Sequence, residues 1–204
     1  MIEHAHVDLR DDSSRRVGFT PADDPLWSGV LVLAPGERLA LAGDARNDLL
    51  VLAGSLAGAD GAAPLARGDF AIRRGDPGLH AGAQGAQVFA WRDPSAAGCD
   101  EATVRRDEQP WREGRTPGML AANLSNAGHA LNLVQWQPGA QTHHHAHPGG
   151  EEIFVLRGEL CEDARYPAGS WMRLHPGAWH SPHVETPTLI LVRSGHLKGR
   201  RKTP

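Results

Sequence analysis

The stretch Gly139-Ala140-Gln141-Thr142-His143-His144-His145-Ala146-His147-Pro148-Gly149-Gly150-Glu151-Glu152-Ile153-Phe154-Val155-Leu156 decides how this chain is read. His145 and His147 are two apart, so an extended backbone points both rings to one face. Pro148-Gly149-Gly150 is a turn signal that can bring the chain back. Glu151 then heads a run, Glu152-Ile153-Phe154-Val155-Leu156, that reads as a buried strand. A carboxylate at that place is costly unless it is paired or bound to a cation. A second turn signal, Pro176-Gly177, precedes His180, about thirty residues further on.

Three imidazoles and one carboxylate suit iron, manganese, nickel, copper or zinc, with one or two positions left for water or substrate. Glu152 is the alternative carboxylate if the turn runs one residue longer. The surrounding composition agrees with a site of this kind on a β scaffold. Of the 12 His in 204 residues, seven lie between positions 143 and 183. The 24 Gly and 15 Pro disfavour a helical protein, because both residues punctuate or break helices. A net charge of −3 argues against a nucleic-acid footprint over the whole chain. No apolar run approaches the roughly 20 residues of a membrane helix. The polar, acidic start is unlike a signal peptide. With only Cys99 and Cys161 as thiols, a reducing cytoplasm is expected, although the two could pair.

Short β-type runs dominate: Val30–Leu33, Leu49–Leu52, Phe70–Ile72, Val88–Trp91, Leu131–Val134, Ile153–Leu156, Ser170–Leu174 and Leu189–Val192. Many short strands with regular turn signals predict a sandwich or barrel. The halves also resemble each other. Pro35-Gly36 answers to Pro138-Gly139, Val51-Leu52-Ala53-Gly54 to Val155-Leu156-Arg157-Gly158, and Gly68-Asp69-Phe70 to Gly169-Ser170-Trp171. Pro77-Gly78-Leu79-His80 answers to Pro176-Gly177-Ala178-Trp179-His180 with one residue missing. A repeat of about 100 residues implies a duplicated domain rather than a solenoid.

Gly139-x5-His145-x-His147-x3-Glu151-x6-Gly158 resembles the first motif of the cupin superfamily at every signature position. Gly169-x5-His175-x-Gly177-x2-His180 resembles the second, except that His175 stands where the family usually has Pro. Residues 110–197 look more narrowly like ChrR-like cupins, a group similar to the acetylacetone-cleaving dioxygenase. The resemblance implies an all-β fold of two tandem jelly-roll barrels, a bicupin. It also implies His145, His147, Glu151 and His180 as the metal ligands. The expected divisions are a degenerate barrel over 1–95, a connector over 96–117 containing a pairing strand, a metal-binding barrel over 118–197 and a basic tail over 198–204.

His144 has the opposite parity to the ligands and is expected in solvent. His143 shares their parity and could line the barrel mouth or donate a proton. His175 and His183 flank the fourth ligand and could act as general acid or base, since an unperturbed His titrates near neutral pH. His143, His175 and His183 are therefore the catalytic candidates. Trp136, Trp171, Met172 and Trp179 are candidate linings of the mouth. Cys161 reads as a small core or edge residue. His4 and His6 lie in a polar terminus and are expected at the surface or disordered. The first half has no His at its first-motif positions, and only His80 survives, at the place of the fourth ligand.

The favoured function is a metalloenzyme acting on a small organic substrate, with dioxygenase-type C–C cleavage if the metal is iron. Zinc or iron is the expected ion, with manganese or nickel as alternatives. The competing readings are a ChrR-like sensing regulator that binds a sigma factor, and a non-catalytic structural metal module. The His-and-Cys pattern of the anti-sigma N-terminal domain has no counterpart, since neither Cys precedes position 99. Neither nucleic acid nor membrane is an expected partner, and a homodimer is an open expectation.

Overall fold

A computed structural model describes residues 2–10, 16–41, 44–58, 61–96, 100–126 and 128–198. The alternating apolar runs pair as antiparallel strands, and no α-helix occurs among the described residues. In chain order the strands are β1 (Ile2–His6), β2 (Arg16–Gly18), β3 (Ser28–Leu33), β4 (Arg46–Ala57), β5 (Leu65–Ala66), β6 (Phe70–Arg74), β7 (His80–Asp93), β8 (Ala102–Val104) and β9 (Trp111–Glu113). There follow β10 (Met119–Ser125), β11 (Ala130–Trp136), β12 (His145–Ala146), β13 (Glu151–Arg157), β14 (Glu159–Cys161), β15 (Arg165–Pro167), β16 (Ser170–Leu174), β17 (Trp179–His180) and β18 (Thr188–Ser194). All eight runs expected to be extended fall within these strands.

The chain forms two compact units. The N-terminal unit is Asp11–Gln109, and the C-terminal unit is Pro110–Pro204 together with Met1–Arg10. In the N-terminal unit the strand order is β2-β3-β7-β4-β6-β8. In the C-terminal unit it is β1-β16-β13-β18-β11-β10-β9, with the two-stranded ribbons β12-β17 and β14-β15 beside it. The pairings β3·β7·β4·β6 and β11·β18·β13·β16 are thus the same arrangement met twice.

Each unit closes its own core from one face of its sheet. In the N-terminal unit Leu49, Val51, Ala71, Val88 and Ala90 share that face. In the C-terminal unit Ile153, Val155, Met172, Leu174, Ile190 and Val192 do so. Period-two alternation therefore sends Glu152, Trp171 and Arg173 to the opposite face. Glu152 is fully buried there and accepts from Arg173 Nε at 2.5 Å. The N-terminal unit buries a comparable pair, with Arg46 Nε donating to Asp48 at 2.7 Å.

Two expected boundaries are corrected. Residues 2–6 are not part of the first barrel: β1 pairs with β16, Ile2 opposite Leu174 and His6 opposite Ser170. His4 and His6 accordingly lie in an ordered edge strand, with the His4 ring edge-on to Tyr166. The connector is divided as well. Residues 102–104 pair with β6, and Arg105 donates to Asp69 at 2.9 Å, which ties this part to the N-terminal unit. Trp111–Glu113 pairs with β10 in the C-terminal unit, as a pairing strand was expected to do. Cys161 is buried with a free thiol. Cys99 and the basic tail beyond Lys198 lie outside the described residues.

Candidate metal centre

Two short elements and a strand head build the site. β12 and β17 pair with His145 directly opposite His180. His147 follows β12, and the chain reverses through Pro148-Gly149-Gly150 into β13, with Gly150 N donating to His147 O at 2.9 Å. Neither glycine of that turn is replaceable. A Cβ on Gly149 would stand 2.6 Å from Gly195 Cα, and Gly150 has φ +71°. The reversal places Glu151 on the inward face of β13, in register with Leu174 on one side and Ser194 on the other.

The imidazoles converge through their Nε2 atoms. His145 and His180 are 3.0 Å apart there, and His147 and His180 are 3.1 Å apart. Glu151 reaches two of the three, with Oε1 3.3 Å from His147 Nε2 and Oε2 3.6 Å from His180 Nε2. The three histidines form the one metal-competent group among the described residues, all their ligand atoms lying within 4.8 Å of one another. Around an ion with bonds of about 2.1 Å, neighbouring ligand atoms are roughly 3.0 Å apart in an octahedron and roughly 3.4 Å in a tetrahedron. The separations of 3.0, 3.1 and 3.3 Å fall in that range, and the fourth, 3.6 Å, is slightly wider.

The hydrogen-bond chemistry also fits a cation. His145 Nδ1 lies 2.8 Å from the His143 carbonyl. A carbonyl only accepts, so Nδ1 carries the proton and Nε2 turns its lone pair into the cluster. Burial, aided by the neighbouring His145 ring, pushes His147 down to about 4 and His180 down to about 3, so both are neutral and their lone pairs are available. Burial pushes the Glu151 carboxyl up to about 7, against the opposing effect of the Ser194 hydroxyl, which donates to Oε1 at 2.9 Å. A divalent ion would reverse this penalty, since it is the largest local charge and holds the carboxylate ionised.

The remaining predicted residues take varied places. Glu152 faces away from the cluster, and Arg173, His196 and Arg193 outweigh its burial and hold it near 2. Its alternative role as ligand is thereby corrected: strand parity separates it from Glu151. His144 is exposed as expected, and its ring packs against Trp179 at 4.9 Å. His143 is exposed and meets the cluster through its carbonyl. The His175 ring lies 2.6 Å from Glu3 in β1. The His183 backbone is paired with Cys161 in both directions, at 3.0 and 2.9 Å. Of the expected mouth residues, Trp136 and Met172 join the interior, Trp171 lies on the opposite face of β16, and Trp179 is 61% exposed. Ser194 was not singled out by the sequence, because a lone serine at a strand end carries no motif.

In the N-terminal unit the ladder gives the register that the Val51–Gly54 and Val155–Gly158 match implies. β4 meets β6 with Leu49 opposite Ala71, as β13 meets β16 with Ile153 opposite Met172. Asn47 therefore holds the place of Glu151. His80 is exposed at the head of β7, its backbone bridged to Arg38.

The strand arrangement is a jelly-roll fold of cupin type, and among the described residues it carries one candidate metal centre. Residues 100–198 match the ChrR cupin-like domain, the narrower resemblance read from the motifs. The fold is shared with a candidate dioxygenase from Nostoc punctiforme PCC 73102, at 16% identity over 93% of this chain and 77% of that one, TM-score 0.71. It is shared with the oxalate decarboxylase of Lactobacillus farciminis in its formate complex, at 14% identity over 90% and 81%, TM-score 0.62. It is also shared with a cupin 2 conserved barrel domain protein from Leptotrichia buccalis, at 14% identity over 95% and 88%, TM-score 0.59. Identities this low carry the architecture alone. No curated protein is significantly similar in sequence. No helix among the described residues is long and apolar enough to cross a membrane.

Proposed function

We propose that the chain is a metal-dependent bicupin enzyme in which His145, His147, His180 and Glu151 hold one divalent ion and the substrate is a small organic molecule. The observation that carries this is the convergence of three Nε2 atoms within 4.8 Å of one another, with a buried carboxylate against two of them. Zinc or iron is the favoured ion, with manganese or nickel as alternatives. When bound, the ion would polarise a substrate oxygen, or supply redox chemistry if it is iron.

The chain's own residues divide the remaining work. The His143 carbonyl and the Ser194 hydroxyl orient His145 and Glu151, as outer partners of a metal site do. Half-buried His145 and His147 leave the open side of the cluster toward solvent, where a small substrate could enter. If the ion is iron, oxidative C–C cleavage of a chelating substrate such as a β-diketone is the favoured reaction.

The match of residues 100–198 to the ChrR cupin-like domain favours a second reading, a sensing module that changes a protein contact. One experiment separates the two. Purified protein is analysed for metal, loaded anaerobically with Fe(II), and exposed to oxygen with acetylacetone. Oxygen consumption that depends on iron and substrate supports the enzyme. Stoichiometric zinc that iron does not displace, with no oxygen uptake and co-purification of a sigma factor, supports the regulator.

A further inference from the structure

The N-terminal unit carries a charge-inverted counterpart of the metal end. In the C-terminal unit Glu151 is flanked across the sheet by Leu174 and Ser194. In the same cross-section of the N-terminal unit Asn47 is flanked by Arg73 and Arg92. Parity puts all three on the face that carries Leu49, Ala71 and Ala90. A position that holds an anion in one unit thus holds a neutral amide between two cations in the other.

Among the described residues no carboxylate pairs with Arg73. Among these residues it donates to uncharged oxygens, those of Ile72 at 2.9 Å, Ala102 at 2.8 Å and Thr103 Oγ1 at 2.9 Å. Arg92 Nε is buried without a hydrogen-bond partner among the described residues, and so is Asn47 Oδ1. An orphaned donor such as Arg92 Nε is rare in native proteins and points to a missing acceptor, whereas Asn47 Oδ1 would take a donor. Arg73 also lines a cavity of about 460 Å³, together with Arg74, Arg105, Asp76 and Glu101, and with Leu56, Leu65 and Leu79 against it. Of the carboxylates there, Asp76 is paired with Arg38 at 2.6 Å and accepts from Gly78 N at 3.0 Å, Asp69 is paired with Arg105 at 2.9 Å, and Glu101 accepts the backbone N–H of Arg74 at 2.9 Å. The volume is in the usual range for a small-ligand site, roughly 300–1,000 Å³, and apolar walls with a few placed charges are its usual make-up.

We propose that this cavity of the N-terminal unit binds a small organic carboxylate, its charged group on Arg73 and its apolar body against Leu56, Leu65 and Leu79. Arg92 and Asn47 act behind it as positioning residues, and Arg74 lies at the exposed side. Arginine suits the task because its planar fork matches a carboxylate with two parallel hydrogen bonds.

The test uses full-length, metal-stripped protein carrying His145→Ala and His147→Ala, so that no ion in the other unit can take up the probe. Hexanoate, hexanamide and inorganic phosphate are titrated calorimetrically. Saturable binding of hexanoate, weakened at least tenfold by Arg73→Gln and not seen with hexanamide, is the expected result. Absence of saturation with hexanoate, equal binding of the amide, or an unchanged affinity in Arg73→Gln would overturn the proposal. Preferential binding of phosphate would overturn its carboxylate assignment. If Arg73→Gln does not fold, Arg73→Lys keeps the charge without the fork, and an intermediate weakening is then expected. An affinity equal to that of the unsubstituted site would count against the proposal.

Discussion

Glu151 and Asn47 occupy one position in two copies of the same strand arrangement, and their neighbours differ more than they do. Around Glu151 stand Leu174, a serine hydroxyl and, from the adjoining ribbon, three imidazoles. Around Asn47 stand two arginines. The inward face of each central strand is otherwise leucine, isoleucine, valine, methionine or alanine. A jelly-roll core therefore tolerates opposite charge at its end as long as the apolar layers behind it remain filled, because the end is where side chains can still be solvated or bound. The opposite faces teach the converse. Both units bury an Arg–carboxylate pair there, Arg173 with Glu152 and Arg46 with Asp48, so that face keeps its character while the site diverges.

The largest effect expected from this contrast concerns metal. His145→Ala with His147→Ala should abolish binding of a divalent ion, read as metal content after loading and desalting. Asn47→Glu should leave the stoichiometry at one ion per chain, because the N-terminal unit brings no imidazole cluster to that carboxylate. A second ion in Asn47→Glu, or retained metal in the double variant, would break the comparison.

Next come the shared buried pairs. Glu152→Leu leaves the Arg173 guanidinium buried without this carboxylate, and Asp48→Leu does the same to Arg46. Each should cost about 3–5 kcal/mol in urea unfolding. A loss below about 1 kcal/mol in either would show that the pair is relieved in some other way.

A somewhat smaller effect should appear with pH. Burial, supported by Arg193 and His129 against the opposing pull of Glu152, holds His196 down at about 4. Its unfolded value is the ordinary 6.5. The unfolded chain therefore takes up the proton first. The stability it contributes is complete above the ordinary value and is lost as pH falls from there toward about 4, by on the order of 3 kcal/mol. Unfolding of metal-free protein across that range should show the slope, and His196→Gln should reduce it, leaving the part due to His147 and His180. An unchanged slope would assign the acid sensitivity to another group.

The smallest effect concerns the outer partner of Glu151. Ser194→Ala should weaken metal affinity about tenfold in a chelator competition while leaving stoichiometry unchanged. No change would mean that the hydroxyl at 2.9 Å is incidental to the site.

Much of this was legible in the chain itself. The eight apolar runs mark the central strands because period-two alternation and Gly-Pro punctuation are local properties. His145-x-His147, the Pro-Gly-Gly turn and Glu151 could be read as one ligand cluster for the same reason, since every step between them is a turn or a strand repeat. His180 was reachable only through its motif. Ser194, Arg73 and Arg92 were not readable, because each gains its place by pairing across the sheet with a residue distant in sequence. The same holds for β1: nothing in Ile2–His6 says that its edge will be completed by β16 rather than by a strand of its own half.

By itself, then, the sequence determined the strand-rich class, the repeated turn signals and a metal-competent set of residue types at compatible spacing. The tertiary structure decided which atoms meet. It brought the three Nε2 atoms together, turned Glu152 away from Glu151, split the connector between the units and set two arginines beside Asn47. The physical reason is that spacing fixes side-chain direction only within one strand, whereas a site is made by register between strands, and register is set by the closing of the whole sheet.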